Sequence, residues 1–138
     1  MNILAGQFGG RRIKTVSKLP YRPIKSRVRK SIFDSLMPFR FSMVLDLFSG
    51  SGILGFEAVS RGAQSVTFVE KHGPTLRLIK QNAAGLAGPS YTFKHCGAVS
   101  FLRRSGSFDL IFADPPYGTD DLESLAETIL EHLNKKGK

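Results

Sequence analysis

The sequence has 138 residues, 41% of them hydrophobic and 22% charged, with a single cysteine and a formal net charge of +9. This length suits one domain with a sizeable core, since a chain near this size buries roughly two-thirds of its unfolded surface. Cys96 alone rules out an internal disulfide framework or a cysteine metal cluster, and no apolar run approaches the roughly 20 residues that span a bilayer. The N-terminus carries no apolar stretch ending in a small-residue cleavage site. A reducing cytoplasm without membrane or metal is the expected setting.

The distribution of charge says more than its total. Residues 1–40 hold ten Lys or Arg against one acid, Asp34, and the remaining ten basic residues are balanced by ten acids. The excess therefore sits at the N-terminus, as expected of an electrostatic arm for a polyanion. Arg11, Arg12, Lys14, Arg22 and Arg27 are the candidate nucleic-acid contacts. An anionic membrane fits less well, because no Trp/Leu-rich amphipathic face accompanies the charge.

In chain order, residues 1–25 are expected to form a basic β-hairpin arm, with strands at 3–5 and 12–16 joined through Phe8-Gly9-Gly10. Pro20 and Pro23 break regular structure. A helix follows to about Met37, with Ser26 as N-cap and Val28, Ile32, Phe33 and Leu36 on its apolar face; Arg27, Arg29 and Lys30 lie off that stripe. From residue 43 a strand–helix rhythm begins. Strands are predicted at 43–48, 65–69, 91–95 and 108–113, with helices at about 53–61, 74–84, 98–103 and 121–133. Such alternation implies a parallel sheet with helices on both faces. The domain is expected to span 26–138, with strand order 3-2-1-4.

Two motifs carry chemistry. Gly50, Gly52 and Gly55 form a GxGxxG directly after the first strand and opening a helix, and Glu70 follows roughly 20 residues later at the end of the next strand. In that pattern the first glycine permits a tight turn, the second lets a ligand approach the backbone, and the third allows close helix–strand packing. A carboxylate at position 70 can accept hydrogen bonds from both hydroxyls of an adenosine ribose. Asp46, four residues before the first glycine, would repel a pyrophosphate but suits an ammonium group, which favours S-adenosylmethionine over a nicotinamide cofactor.

The second motif is Asp114-Pro115-Pro116-Tyr117, placed after the fourth strand where ligands bind in open α/β sheets. Two prolines fix the backbone so that a carbonyl and the Asp114 side chain both face the site. An exocyclic aromatic amine is a poor nucleophile because its lone pair is delocalised into the ring. Two acceptors on its N–H groups draw it toward tetrahedral geometry, and Tyr117 would stack on a base taken out of its helix. His72, His95 and His132 have no metal-like spacing, and Cys96 reads most simply as a small apolar residue.

These segments together resemble a known family. The tetrapeptide at 114–117 and Asp46-Leu47-Phe48-Ser49-Gly50-Ser51-Gly52 are similar to those of amino-methyltransferases of class I. Residues 3–12, Arg22-Pro23 leading to Arg27-Val28-Arg29, and residues 54–63 resemble the RsmD family, and the likeness covers essentially the whole chain. The resemblance implies a Rossmann-like three-layer α/β sandwich with a mostly parallel sheet. It also implies methylation of the guanine N2 amine in 16S ribosomal RNA or the small-subunit particle. Asp46, Phe48, Ser49, Gly50, Gly52, Gly55, Glu70, Lys71, Gly97 and Ala98 would then hold S-adenosylmethionine, and Asp114, Pro115, Pro116 and Tyr117 the base. Gly97 stands where the family usually places Asp or Asn for the adenine amine. The chain ends near where a fifth strand would begin, so the fourth strand is expected to be an exposed apolar edge and a route to self-association. The same chemistry on adenine, cytosine or a protein glutamine, and a non-catalytic RNA-binding remnant, stand as alternatives.

Overall fold

A computed structural model of the chain describes every residue except Ser17, residues 19–22, Tyr117 and Asp120. Two of the expected contact residues, Arg22 and Tyr117, thus lie outside the described residues. Four parallel strands, β1 (Met43–Leu47), β2 (Ser65–Val69), β3 (Ser90–Lys94) and β4 (Leu110–Ala113), form one sheet in the order β3-β2-β1-β4. The helices are α1 (Ser26–Ser35), α2 (Ile53–Ser60), α3 (Gly73–Ala84), α4 (Ala98–Leu102) and α5 (Leu122–Leu130).

Strand periodicity divides the core in two. Val44, Val66, Phe68, Leu110 and Phe112 join a cluster with Phe33 of α1, Phe56 of α2 and Ile79 of α3. Leu45, Leu47 and Val69 belong to the cluster that holds Ala98 and Leu102 of α4 and Leu125 of α5. These are the two faces of one sheet, and the architecture is the expected three-layer sandwich. Central β1 is buried at four of its five positions, whereas β3, paired on one side, alternates exposed and half-buried residues.

The structure corrects several sequence expectations. The N-terminal hairpin is shorter than expected: Asn2 and Arg12 form an antiparallel bridge, Ile3 N donates to Arg11 O at 2.9 Å and Ile13 N to Met1 O at 2.7 Å, while the N–H groups of Leu4 and Ala5 go to the Glu57 carboxylate. Ile3, Phe8 and Ile13 are buried in the main core, so this segment is packed against the domain. Helix α1 is capped at Lys25 without a side-chain bond, not at Ser26, and ends at Ser35. Its buried residues are Phe33 and Arg29, while Val28 is 50% exposed.

Strand β4 is also shorter than expected, and its outer edge is met in part by residues 132–138. His132 O accepts from Phe108 N at 2.8 Å, Asn134 N donates to Phe108 O at 2.8 Å, and Lys138 O accepts from Ile111 N at 2.8 Å. Asp109 ties this segment to β1, its carboxylate accepting from Met43 N at 2.8 Å and from Asn134 Nδ2 at 2.8 Å. Those bonds hold its carboxyl below the usual carboxylate range, the Met43 amide contributing most. The apolar edge expected to be open is therefore partly satisfied by backbone bonding.

Candidate active site

The carboxyl ends of the strands stop in register. Leu47 of β1 lies opposite Val69 of β2 and Ala113 of β4, and Val69 lies opposite Lys94 of β3. The first residues beyond that line are Phe48, Glu70, Asp114 and His95. One sheet edge thus gathers the Gly-rich turn, the acid after β2 and the start of the Asp-Pro-Pro motif, although they are far apart in sequence.

The turn after β1 is built from unusual backbone. Phe48 has φ +58°, Gly50 φ +56° and Gly52 φ +79°. A phenylalanine in the left-handed region is uncommon and costs conformational energy, which marks a turn held by its surroundings. Ser49 supplies part of the hold: its hydroxyl donates to Asp46 O and accepts from Val69 N at 3.1 Å, and its own N–H donates to Val69 O at 3.1 Å. At Gly52 a Cβ would sit 3.0 Å from Phe56 Cε2 and 3.2 Å from Phe68 Cε1, so the missing side chain makes room for core aromatics. Gly55 has the expected packing role, since a Cβ there would lie 2.5 Å from Phe68 Cε1.

Two carboxylates face this turn from adjacent strand ends. Asp46 is 2% exposed, and its Oδ2 accepts from Gly55 N at 3.0 Å. Burial pushes its carboxyl up to about 8; the Gly55 amide opposes that shift and the negative charge of Glu70 adds to it. Glu70 is half-buried and bridges two loops, with Oε1 accepting from Gly50 N at 3.1 Å and Oε2 from His72 N at 2.8 Å. Among the described residues, no ion pair involves either acid. Two neighbouring carboxylates without a basic partner suit a cationic ligand and oppose a pyrophosphate. S-adenosylmethionine, with its ammonium, its sulfonium and a ribose diol, fits that donor set.

The remaining expected residues are less uniform in position. Gly97 caps α4, with open space where a Cβ would stand, and Ala98 begins that helix buried. Lys71 is exposed, and the contact it makes is through its carbonyl to His95 Nε2 at 2.9 Å. Asp114 and Pro116 are exposed and Pro115 is half-buried. Arg11, Arg12 and Lys14 lie elsewhere, beside Asn82 and Gly85 at the far end of α3. Arg27 is exposed on α1. His72, absent from the expected set, caps α3, its ring accepting from Thr75 N at 3.3 Å. A His followed by Gly-Pro at a helix start was the available signal. Among the described residues, no group of His, Cys, Asp and Glu is placed to hold a metal ion, and no helix is long and apolar enough to cross a membrane.

Comparison with known proteins agrees with this geometry. The family described as conserved hypothetical protein 95 matches residues 1–137. Ribosomal RNA small subunit methyltransferase D of Haemophilus influenzae is 33% identical over 96% of the chain, which spans 72% of that protein and 63% of its Escherichia coli namesake. Among solved structures, a hypothetical protein of Thermus thermophilus superposes with a TM-score of 0.85 at 32% identity, covering 99% of this chain and 82% of that one. A SAM-dependent methyltransferase from Agrobacterium tumefaciens gives a TM-score of 0.66 at 25% identity, covering 79% and 40%. With its carboxyl-edge acids, its Gly-rich turn and these relatives, the chain belongs to the RsmD family and has the fold of class I S-adenosylmethionine-dependent methyltransferases.

Proposed function

We propose that the protein transfers a methyl group from S-adenosylmethionine to the exocyclic N2 amine of a guanine in 16S ribosomal RNA, free or within the small-subunit particle, in the cytoplasm. The observation that carries this reading is the in-register termination of the strands, which puts Glu70, the turn after Asp46, and Asp114 along one edge. When bound, the cofactor supplies an electrophilic sulfonium methyl; orientation and electrostatics are left to the protein.

Glu70 would accept from the ribose hydroxyls, and Asp46, in its ionised form, would face the methionine ammonium. The backbone around Phe48, Ser49 and Gly50 shapes the turn, and Gly97 and Ala98 form the floor at the start of α4. Asp114 and the carbonyl of Pro115 would accept from the two N–H groups of the base amine. Drawing those hydrogens out of the ring plane would localise the nitrogen lone pair, and the amine would give up one proton, to Asp114 or water, on taking up the methyl group. Pro116 stiffens the loop, and Tyr117 would stack on the base. Arg11, Arg12, Lys14, Arg22 and Arg27 would meet phosphates.

The test is transfer of labelled methyl to RNA from cells lacking the enzyme, followed by nucleoside analysis. N2-methylguanosine is the expected product. Label in adenosine, cytidine or a protein instead of guanosine would overturn the choice of acceptor. Asp114→Ala is expected to abolish transfer while leaving cofactor affinity nearly unchanged, and an active Asp114→Ala protein would remove it from the site.

A further inference from the structure

Beyond residue 40 the charges balance in number but not in space. Residues 71–108 hold six Lys or Arg and no acid, whereas residues 109–131 hold seven acids and no Lys or Arg. Lys71, Arg77, Lys80 and Lys94 lie on or beside α3 and β3 at the β3 flank, whereas Glu123 and Glu127 stand on α5, which packs with α4 on the other face of the sheet. The N-terminal segment then adds its own cations to the flank that is already basic. Asn82 of α3 clamps the backbone of Lys14, its Oδ1 accepting from Lys14 N at 3.1 Å and its Nδ2 donating to Lys14 O at 3.0 Å. Arg11 Nη2 donates to Gly85 O at the C-terminal cap of the same helix.

Between the segment and the helix runs a shallow groove in two reaches. One, of about 270 Å³, is lined by Arg11, Arg12, Lys14 and Asn82. The other, of about 300 Å³, is lined by Val16, Pro74 and Arg77. Gln81 lines both, so the reaches are contiguous. Lys80 stands on the same helix with its ammonium 5.8 Å above the Phe93 ring of β3.

We propose that this groove along α3 is a track for the phosphate backbone of an RNA strand, with Arg77 as a phosphate contact in addition to the N-terminal cations; Lys80, turned to Phe93, lies outside it. Among the described residues, no ion pair engages Arg11, Arg12, Lys14 or Arg77, so the charge along the groove is uncompensated. From Pro74 to Gly85 the groove follows the helix for roughly 16 Å, at about 1.5 Å per residue, enough for a few phosphates. Its Pro74 end lies just past Glu70, at the edge that holds the proposed active site. A strand in the track would therefore lead to that edge. Guanidinium forks and side-chain amides suit phosphate oxygens. A membrane surface is a poorer match, because the lining is concave and its apolar residues, Val16, Pro74 and Leu78, form no protruding amphipathic face.

The choice of RNA as the polyanion rests on the proposed function, and the experiment separates the two. Binding of a fluorescein-labelled RNA hairpin is measured by anisotropy across a salt series, for the whole chain and for Arg77→Gln. One lost phosphate contact lowers the log–log salt slope by about 0.7–0.9, which is about 5- to 8-fold in affinity at roughly 0.1 M salt. Arg77→Lys keeps the slope, as does Lys135→Gln/Lys136→Gln on the β4 flank, and thermal midpoints stay unchanged. An unaltered slope in Arg77→Gln, an equal loss in the β4-flank variant, or a loss seen with phosphatidylserine vesicles and not with RNA overturns the track. Failure of methyl transfer with the slope change intact overturns the proposed function and leaves the track standing.

Discussion

Glu57 and Arg29 are buried together, 0% and 1% exposed, with Arg29 Nε 3.6 Å from Glu57 Oε1. Glu57 also pairs with Arg61 at 2.9 Å and accepts the N–H groups of Leu4 and Ala5 at 2.9 and 3.1 Å. One carboxylate in α2 thus joins α1, its own helix end and the N-terminal segment. Arg29 Nη2 completes the link by donating to Asn2 O at 2.6 Å. Glu57→Ala leaves a buried guanidinium without its counter-charge, and a loss of about 3–5 kcal/mol is expected in chemical denaturation. Amide exchange at Leu4 and Ala5 should accelerate. A variant with native stability and slow exchange there would show that the segment is held by apolar packing alone. Glu57→Leu combined with Arg29→Met should cost less than the sum of the single changes.

Asp46 gives the protein a pH signature. Its carboxyl stands at about 8 in the fold, against about 3.8 in the unfolded chain, so between these values the native state holds a proton that the unfolded state has released. This group's contribution to stability is therefore greatest below about pH 4, declines as pH rises, and is fully lost above about 8. Asp46→Asn keeps an acceptor for Gly55 N and removes the ionisation. The variant should gain stability relative to the parent at pH 8.5 but not at pH 4, by on the order of a few kcal/mol. It should also lose thermal stabilisation by S-adenosylmethionine. Parallel stability profiles for the two proteins between pH 4 and 9 would contradict the shift.

Glu70→Ala should weaken S-adenosylmethionine binding by about 1–3 kcal/mol, through lost bonds to a charged acceptor. Because Glu70 raises the Asp46 carboxyl, Glu70→Gln should move the stability profile of Asp46 toward lower pH. Calorimetric titration and pH-resolved melting read the two effects separately. Unchanged cofactor affinity in the alanine variant would remove Glu70 from the cofactor site.

Gly55→Ala tests the contact between α2 and the sheet. The added Cβ would meet Phe68 Cζ and Val66 Cγ2 at 2.9 Å, and Phe68 is 0% exposed and stacked on Phe93 at 5.9 Å. Overpacking of this kind costs about 1–3 kcal/mol, and Phe68→Leu in the same chain should recover part of it. Equal stability of Gly55→Ala and the parent would mean that the helix shifts outward freely.

The sheet was legible in the sequence because buried strands and their punctuation are local signals. Strand β2 falls at the expected residues, 65–69, strand–helix alternation makes the strands parallel, and the order β3-β2-β1-β4 is the expected one. The glycine turn and Glu70 were legible from spacing, because both close the same edge. What was hidden is tertiary. Arg29 reads as a surface cation on a basic helix, and its partner lies 28 residues away in α2. The hint was Glu57 itself, an acid inside the otherwise apolar run Ile53 to Val59, which has to find a counter-charge if that helix is buried on all sides. The N-terminal hairpin pairs over fewer residues than its sequence suggests for the same reason, since the N–H groups of Leu4 and Ala5 found the Glu57 side chain while Ile3 and Ile13 kept backbone partners across the turn. Segregation of charge after residue 40 was hidden by the balanced total, and appears once the helices are assigned to faces of the sheet.

The cations along the α3 groove give that flank a positive field, and the acids of α5 give the opposite face of the sheet a negative one. In the field of a polyanion such a body experiences a torque before any contact forms, and it rotates so that the α3 flank leads and α5 trails. Encounters then begin within a narrow range of orientations, which raises the association rate at low ionic strength. Counter-ions shorten the reach of the torque to about one Debye length, roughly 8 Å at physiological salt, so added salt should slow arrival more than it hastens departure.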